Sequence, residues 1–232
     1  MTRLVLIPGL ACDSVMWQAQ LRVLPAHFQP FVTDAHTRAD SIEAMARVLL
    51  QDYSEELILC GASMGGIIAM EAARQAPLRI KGMALLGTNA RPETDDVRKL
   101  RALAVTLFED GRAAEVLRAN VPLAFHATQP RDGQLVRTYI DFVLKAGAGQ
   151  LIRQNRAIMA RPDARAHLGS VGCPVLVMCG DSDQLTPPEC SREIAALVAT
   201  EAVMVPRCGH MLTMEQPGAV NAHLLQWLKQ FA

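Results

Sequence analysis

Short apolar runs alternate with longer stretches at helical spacing through the first ninety positions. Residues 4–7 are apolar throughout and end at Pro8-Gly9, the pattern of a strand buried on both faces. Residues 14–24 place Trp17, Leu21 and Leu24 on one side of a helix, and 30–33 predict a second strand. Ile42, Met45, Val48 and Leu49 recur at helical spacing behind Ser41, which is placed to cap that helix. Leu57-Ile58-Leu59-Cys60 predicts a third strand, 67–74 an alanine-rich helix, and 81–86 a fourth strand closed by Gly87. Such alternation implies right-handed crossovers and a mostly parallel sheet covered by helices on both faces.

The pattern changes at Arg91. Up to Asp163 it predicts no strand but helices over 97–108, 113–119, 135–144 and 151–159, punctuated by Gly111, Pro122, Pro130 and Gly147. The strand–helix alternation then resumes, with strands at 174–179 and 202–205, a helix at 188–198, and a closing helix at 219–231. The expected organisation is one α/β core, 1–90 and 164–232, interrupted by an all-helical cap insertion, 91–163, over the carboxyl edge of the sheet. A length of 232 residues suits one such core.

Composition narrows the function more than the fold. There are 23 basic and 23 acidic residues, so no net charge argues for nucleic acid or an anionic membrane as partner. The balance is local as well as global only in part: 13 basic and 9 acidic residues lie between Arg91 and Arg165. That excess suits a solvated helical surface, or attraction of an anionic substrate. The six cysteines form no CxxC pair and no zinc spacing with histidine. No run approaches the roughly 18 apolar residues of a membrane span, and the apolar start is too short for a secretory leader. A cytoplasmic protein with free thiols is expected, needing no cofactor and no metal. Whether it is a monomer or a homodimer is left open by the sequence.

The candidate chemistry centres on Gly61-Ala62-Ser63-Met64-Gly65-Gly66, between a predicted strand and a predicted helix. A chain that reverses from strand to helix in so few residues exposes the serine Oγ on a strained backbone, and glycines two residues to either side avoid collision. The helix that follows aims free N–H groups at the site, where they favour developing negative charge. A serine nucleophile needs a base. Of six histidines, His210 alone follows the last strand behind Cys208-Gly209 and so emerges at the carboxyl edge, where ligands bind in such sheets. His27, His36, His126, His167 and His223 suit surface or packing roles. The base needs a carboxylate to fix its tautomer. Gly180-Asp181-Ser182-Asp183 offers two. Asp181, at the strand end, is the better partner for loop backbone, and Asp183 is placed to reach His210. Two backbone N–H donors are expected to hold an oxyanion, those of Met64 and Leu10, with Gly9 letting the second loop approach.

These segments resemble the α/β-hydrolase superfamily, in particular its small capped bacterial esterases and enol-lactonase-like members. Leu6-Ile7-Pro8-Gly9 is similar to the family's oxyanion loop, with Pro8 where a histidine is common. Gly61 to Gly66 is similar to its nucleophile elbow. Gly180-Asp181-Ser182-Asp183 with Thr186-Pro187 resembles its acid loop, whose fourth position carries the acid, which favours Asp183. Gly209-His210 with Glu215-Gln216-Pro217 resembles its histidine loop. The first strand corresponds to the family's third, so about six strands are expected. The resemblance implies a Ser63–Asp183–His210 triad that hydrolyses a small-molecule carboxylic ester or lactone. Serine at position 63 argues against the dehalogenases and epoxide hydrolases of this fold, which carry aspartate there. Acyl transfer, perhydrolysis or a lyase reaction on the same triad stand as alternatives, as does a non-catalytic ligand receptor. Phe108, Phe125, Tyr139 and Phe142 in the helical segment are candidates for an apolar acyl pocket, or else only pack that segment's own core.

Overall fold

The computed structural model describes residues 2–231. Six strands form one all-parallel sheet in the order β2-β1-β3-β4-β5-β6. They are β1 (Thr2–Ile7), β2 (Phe31–Val32), β3 (Glu56–Ala62), β4 (Ile80–Leu86), β5 (Val175–Gly180) and β6 (Ala202–Val205). The near-continuous apolar runs arise because both faces are covered. Alternate residues go to opposite sides: Leu4, Leu6, Ile58, Cys60, Ala84, Leu86 and Met178 enter one core. Val5, Ile7, Leu57, Leu59, Met83, Leu85 and Val177 enter the other. This is the expected α/β-hydrolase layering of helices on both faces of a parallel sheet.

The second core is closed by α2 (Ile42–Asp52), α3 (Met64–Gln75) and α9 (Pro188–Leu197), with α8 (Arg165–Leu168) beside them. Ser41 caps α2 by accepting the Ala44 N–H at 3.1 Å. The first core is closed by α1 (Gln18–Leu21), α11 (Pro217–Leu228) and most of the apolar side chains of the stretch 91–163. Among the described residues that stretch holds no strand and four helices, α4 (Asp95–Glu109), α5 (Ala113–Ala124), α6 (Gln134–Ala146) and α7 (Ala148–Met159). Many of its basic residues are paired: Arg112 with Glu115, Arg156 with Glu109 and buried Arg161 with buried Glu93 inside the stretch, and Arg91 with Glu193 and Arg153 with Asp40 outside it.

Several boundaries differ from the sequence expectation for local reasons. The helix expected over 14–24 is a turn of 3-10 helix, Ser14–Trp17, followed by the short α1, and its cap is Asp13, which accepts the Val15 N–H at 2.9 Å. Pro122 does not end α5. It sits in the last turn, where a missing N–H costs one hydrogen bond and the helix closes two residues later. The last helix starts at Pro217, since proline is well suited to a first helical position. The short helix α10 (Leu212–Glu215) carries too few residues to leave a periodic signal. No helix among the described residues is long and apolar enough to cross a membrane.

Candidate active site

Ser63 is the residue between β3 and α3, and its backbone has φ 54° and ψ −118°. A non-glycine residue at positive φ stores roughly 1–3 kcal/mol of strain that surrounding packing must hold. Here the hold is visible. The Ser63 N–H donates to Leu86 O at 2.9 Å, Thr88 Oγ1 donates to Ser63 O at 2.7 Å, and Gly66 N–H closes the first helical turn on Ser63 O at 2.9 Å. Both flanking glycines are required by close approach. A Cβ on Gly61 would lie 2.3 Å from Gly65 O, and one on Gly65 would lie 2.1 Å from Ile7 O and 2.8 Å from Pro8 O.

The structure brings Ser63, His210 and Asp183 into one hydrogen-bonded chain. Ser63 Oγ lies 2.9 Å from His210 Nε2, and His210 Nδ1 lies 2.8 Å from Asp183 Oδ2. With Asp183 ionised, Nδ1–H is the donor to it and Nε2 is left to accept the serine proton. Asp183 is 3 % exposed, so its charge depends on donors. It has them: the Leu185 and Thr186 N–H groups reach Oδ1 at 2.9 Å each, and Thr186 Oγ1 reaches Oδ2 at 2.8 Å. Burial pushes the carboxyl up, but His210 and these donors outweigh it and hold Asp183 below the ordinary aspartate range. Asp181 is used differently, its carboxylate accepting the Arg207 N–H at 3.0 Å and the Cys208 N–H at 3.3 Å across the β5 and β6 ends. The other five histidines lie away from this chain of bonds. His36 takes the packing place of the two expected, buried with Nε2 donating to Cys12 O at 2.9 Å.

The loop after β1 runs beside Ser63. A Cβ on Gly9 would meet Ala62 O and Ser63 Cβ at 3.5 Å, an ordinary contact. The approach that the sequence assigns to Gly9 is therefore made possible by Gly65 instead. Along this loop the Gly9, Ala11 and Cys12 N–H groups have acceptors in Met16 Sδ, Gln154 Oε1 and Gly9 O. Among the described residues no hydrogen bond uses the Leu10 or the Met64 N–H, the two expected oxyanion donors.

The helical stretch grips the site at two points that sequence reasoning does not single out. At the end of α5, Ala124 O accepts both His210 N–H at 2.9 Å and Met211 N–H at 3.2 Å. Buried Glu215 bridges the same contact, with Oε1 accepting Gly209 N–H at 3.0 Å and Oε2 accepting His126 N–H at 2.8 Å. Burial raises the Glu215 carboxyl, opposed by those N–H groups and that of Met211. At the other end, fully buried Gln154 on α7 meets the loop after β1. Of these, only Glu215 carries a sequence signal, its place in the stretch resembling the family's histidine loop.

Phe108, Phe125 and Phe142 are buried and, with partly buried Tyr139, join the first core. Phe125 and Tyr139 stack edge to face at 5.3 Å, and Tyr139 and Phe142 at 5.6 Å. Phe125 is next to the histidine loop, its carbonyl carbon 2.7 Å from where a Cβ on Gly209 would stand. Among the described residues no group of three or more His, Cys, Asp or Glu is placed to hold a metal ion.

Comparison with known proteins agrees with this architecture. The putative carbamate hydrolase RutD of Serratia proteamaculans is 25 % identical over 246 residues, spanning 97 % of this chain and 90 % of its own. A thermophilic esterase from Thermogutta terrifontis superposes with a TM-score of 0.89 at 24 % identity, covering 99 % of this chain and 90 % of its own. The enol-lactonase from Burkholderia xenovorans LB400 superposes with a TM-score of 0.82 at 23 % identity, covering 99 % and 92 %. At those identities the two structures establish the fold alone. The sequence profile of the Alpha/beta hydrolase family matches residues 4–223, nearly the whole chain, and the protein belongs to that family.

Proposed function

We propose that this protein is a serine hydrolase that cleaves a carboxylic ester or lactone of a small molecule through an acyl-enzyme on Ser63. The observation that carries the reading is the pair of contacts Ser63 Oγ–His210 Nε2 at 2.9 Å and His210 Nδ1–Asp183 Oδ2 at 2.8 Å, formed on a backbone strained at the serine. His210 Nε2 removes the Ser63 proton as Oγ attacks the acyl carbon, and Asp183 stabilises the resulting imidazolium. The Leu10 and Met64 N–H groups face the oxyanion, where preorganised donors contribute most of the transition-state stabilisation. Protonated His210 then gives its proton to the leaving alkoxide. Water, deprotonated by the same nitrogen, attacks the acyl-enzyme and releases the acid.

The stretch 91–163 serves as a cap, and Phe125, Tyr139, Phe142 and Phe108 line the acyl side of the site. An apolar wall of this kind favours an uncharged acyl group. The RutD relative is described as acting on a carbamate, whose acyl carbon is open to the same attack. Turnover of p-nitrophenyl esters of increasing chain length, together with simple lactones, tests the reading. An acyl adduct trapped on Ser63 is the expected intermediate, and absence of hydrolysis across the panel by folded protein would count against it.

A further inference from the structure

The turn after β1 holds three successive peptide groups, with N–H groups from Gly9, Leu10 and Ala11. The outer two are tied down: Gly9 N–H to Met16 Sδ at 3.4 Å, and Ala11 N–H to Gln154 Oε1 at 2.6 Å. The middle one keeps only its carbonyl occupied, Gly9 O accepting Cys12 N–H at 3.1 Å, so the Leu10 N–H is left for a ligand. The turn is not at rest. Ala11 has φ 52°, a conformation that favours glycine, and a side chain there has to be held.

Gln154 does the holding from α7, 143 residues along the chain. It is fully buried, and its amide orientation is fixed by its partners: Oε1 must face the Ala11 N–H, and Nε2 donates to His36 O at 2.8 Å. The ring of His36 returns to the same turn, Nε2–H donating to Cys12 O at 2.9 Å. That bond leaves Nδ1 as the bare nitrogen, buried and without a partner, which suits a neutral imidazole. A closed circuit therefore runs from Ala11 through Gln154 and His36 to Cys12. Nothing in it touches the reacting atoms.

We propose that Gln154 is the positioning residue of the oxyanion loop, fixing the direction of the Leu10 N–H through the adjacent Ala11 peptide. The proposal rests on the reading of Leu10 as an oxyanion donor. The helical stretch then contributes to catalysis from α7 as well as covering the site. Removing the Gln154 amide leaves the Ala11 N–H buried and unpaired and the His36 carbonyl with only the longer Gln150 Nε2 contact at 3.4 Å, and Ala11 relaxes toward negative φ. The Leu10 N–H turns with it.

The test is the rate at which a fluorophosphonate phosphonylates Ser63, read by intact mass, because the phosphonyl oxygen occupies the oxyanion position whatever the natural substrate is. Gln154→Met keeps the length and removes both hydrogen bonds, and labelling should slow at least about tenfold, a part of the hundredfold or more that loss of a whole oxyanion donor costs. Gln154→Glu, protonated in this buried place, can reproduce both bonds and should label within about threefold of wild type. A folded Gln154→Met protein that labels at the wild-type rate, with only its melting temperature lowered, would overturn the proposal, as would a Gln154→Glu protein as slow as Gln154→Met. Should Gln154→Met fail to fold by circular dichroism, Gln154→Asn, whose amide stops one methylene short, replaces it with the same expected slowing. Wild-type protein that is not labelled at all would instead overturn the serine-hydrolase reading.

Discussion

The carbonyl oxygen of Ala124 accepts the backbone N–H of His210 at 2.9 Å. The last turn of α5 is thus bonded directly to the candidate base, and Glu215 doubles the attachment through Gly209 and His126. A carboxylate can accept two N–H groups at once, whereas an amide presents one oxygen and one NH2. Glu215→Gln should therefore leave one buried N–H facing a donor, costing about 1–3 kcal/mol of stability. Loss of His210 alignment should also lower kcat by about tenfold with KM little changed. Urea unfolding and steady-state kinetics on one p-nitrophenyl ester check both effects. Unchanged kcat would show that the attachment supports the fold and not the base.

The glycines near Ser63 are expected to differ sharply in tolerance. Gly65→Ala drives a Cβ into Ile7 O at 2.1 Å, backbone that cannot move without shifting β1. Overpacking of that kind costs about 3 kcal/mol or more. Gly9→Ala meets its neighbours at 3.5 Å and should fold and turn over nearly as wild type. Thermal melts of the two variants side by side decide between these positions. A strongly destabilised Gly9→Ala protein would return the close approach to Gly9.

Asp183 gives a pH dependence of defined sign. Its folded carboxyl lies below the ordinary aspartate value, so it stabilises the fold in its charged form. That contribution is fully present above the unfolded value of about 3.9 and is lost as pH falls through the lower folded value. The stability gap between wild type and Asp183→Asn should shrink as pH falls from about 4 toward 3 in urea titrations. The same substitution should lower kcat by about 10⁴, because the His210 tautomer is no longer fixed. A gap that widens over that interval would contradict the account.

Much of the fold and the three residues of the hydrogen-bonded chain were legible in the sequence because each leaves a local mark. Strands buried on both faces read as apolar runs such as Leu57-Ile58-Leu59-Cys60. Ser63 sits between glycines whose spacing the turn requires, and Asp183 and His210 each follow a strand end. Of the two aspartates, Asp183 is the one bonded to His210, while Asp181 binds loop backbone at Arg207 and Cys208. The braces were not legible. Ala124 acts through its carbonyl, which every residue has. Gln154 reads as one polar position on an amphipathic helix, and its partner Ala11 is 143 residues away. His36 sits in a short 3-10 turn with no periodicity, and its burial follows from packing of segments distant in sequence. Gly9 misled because a Pro-Gly turn looks like a close approach, while the contact is made from the far side by Gly65.

The central claim is that Ser63 is the nucleophile. Its most direct test is exposure of the folded protein to a fluorophosphonate, followed by peptide mass mapping. One adduct on the peptide containing Ser63, absent from a folded Ser63→Ala variant whose turnover falls by about a millionfold, is the result the account predicts. No adduct on the folded wild-type protein, or an adduct on another residue that persists in Ser63→Ala, would contradict it.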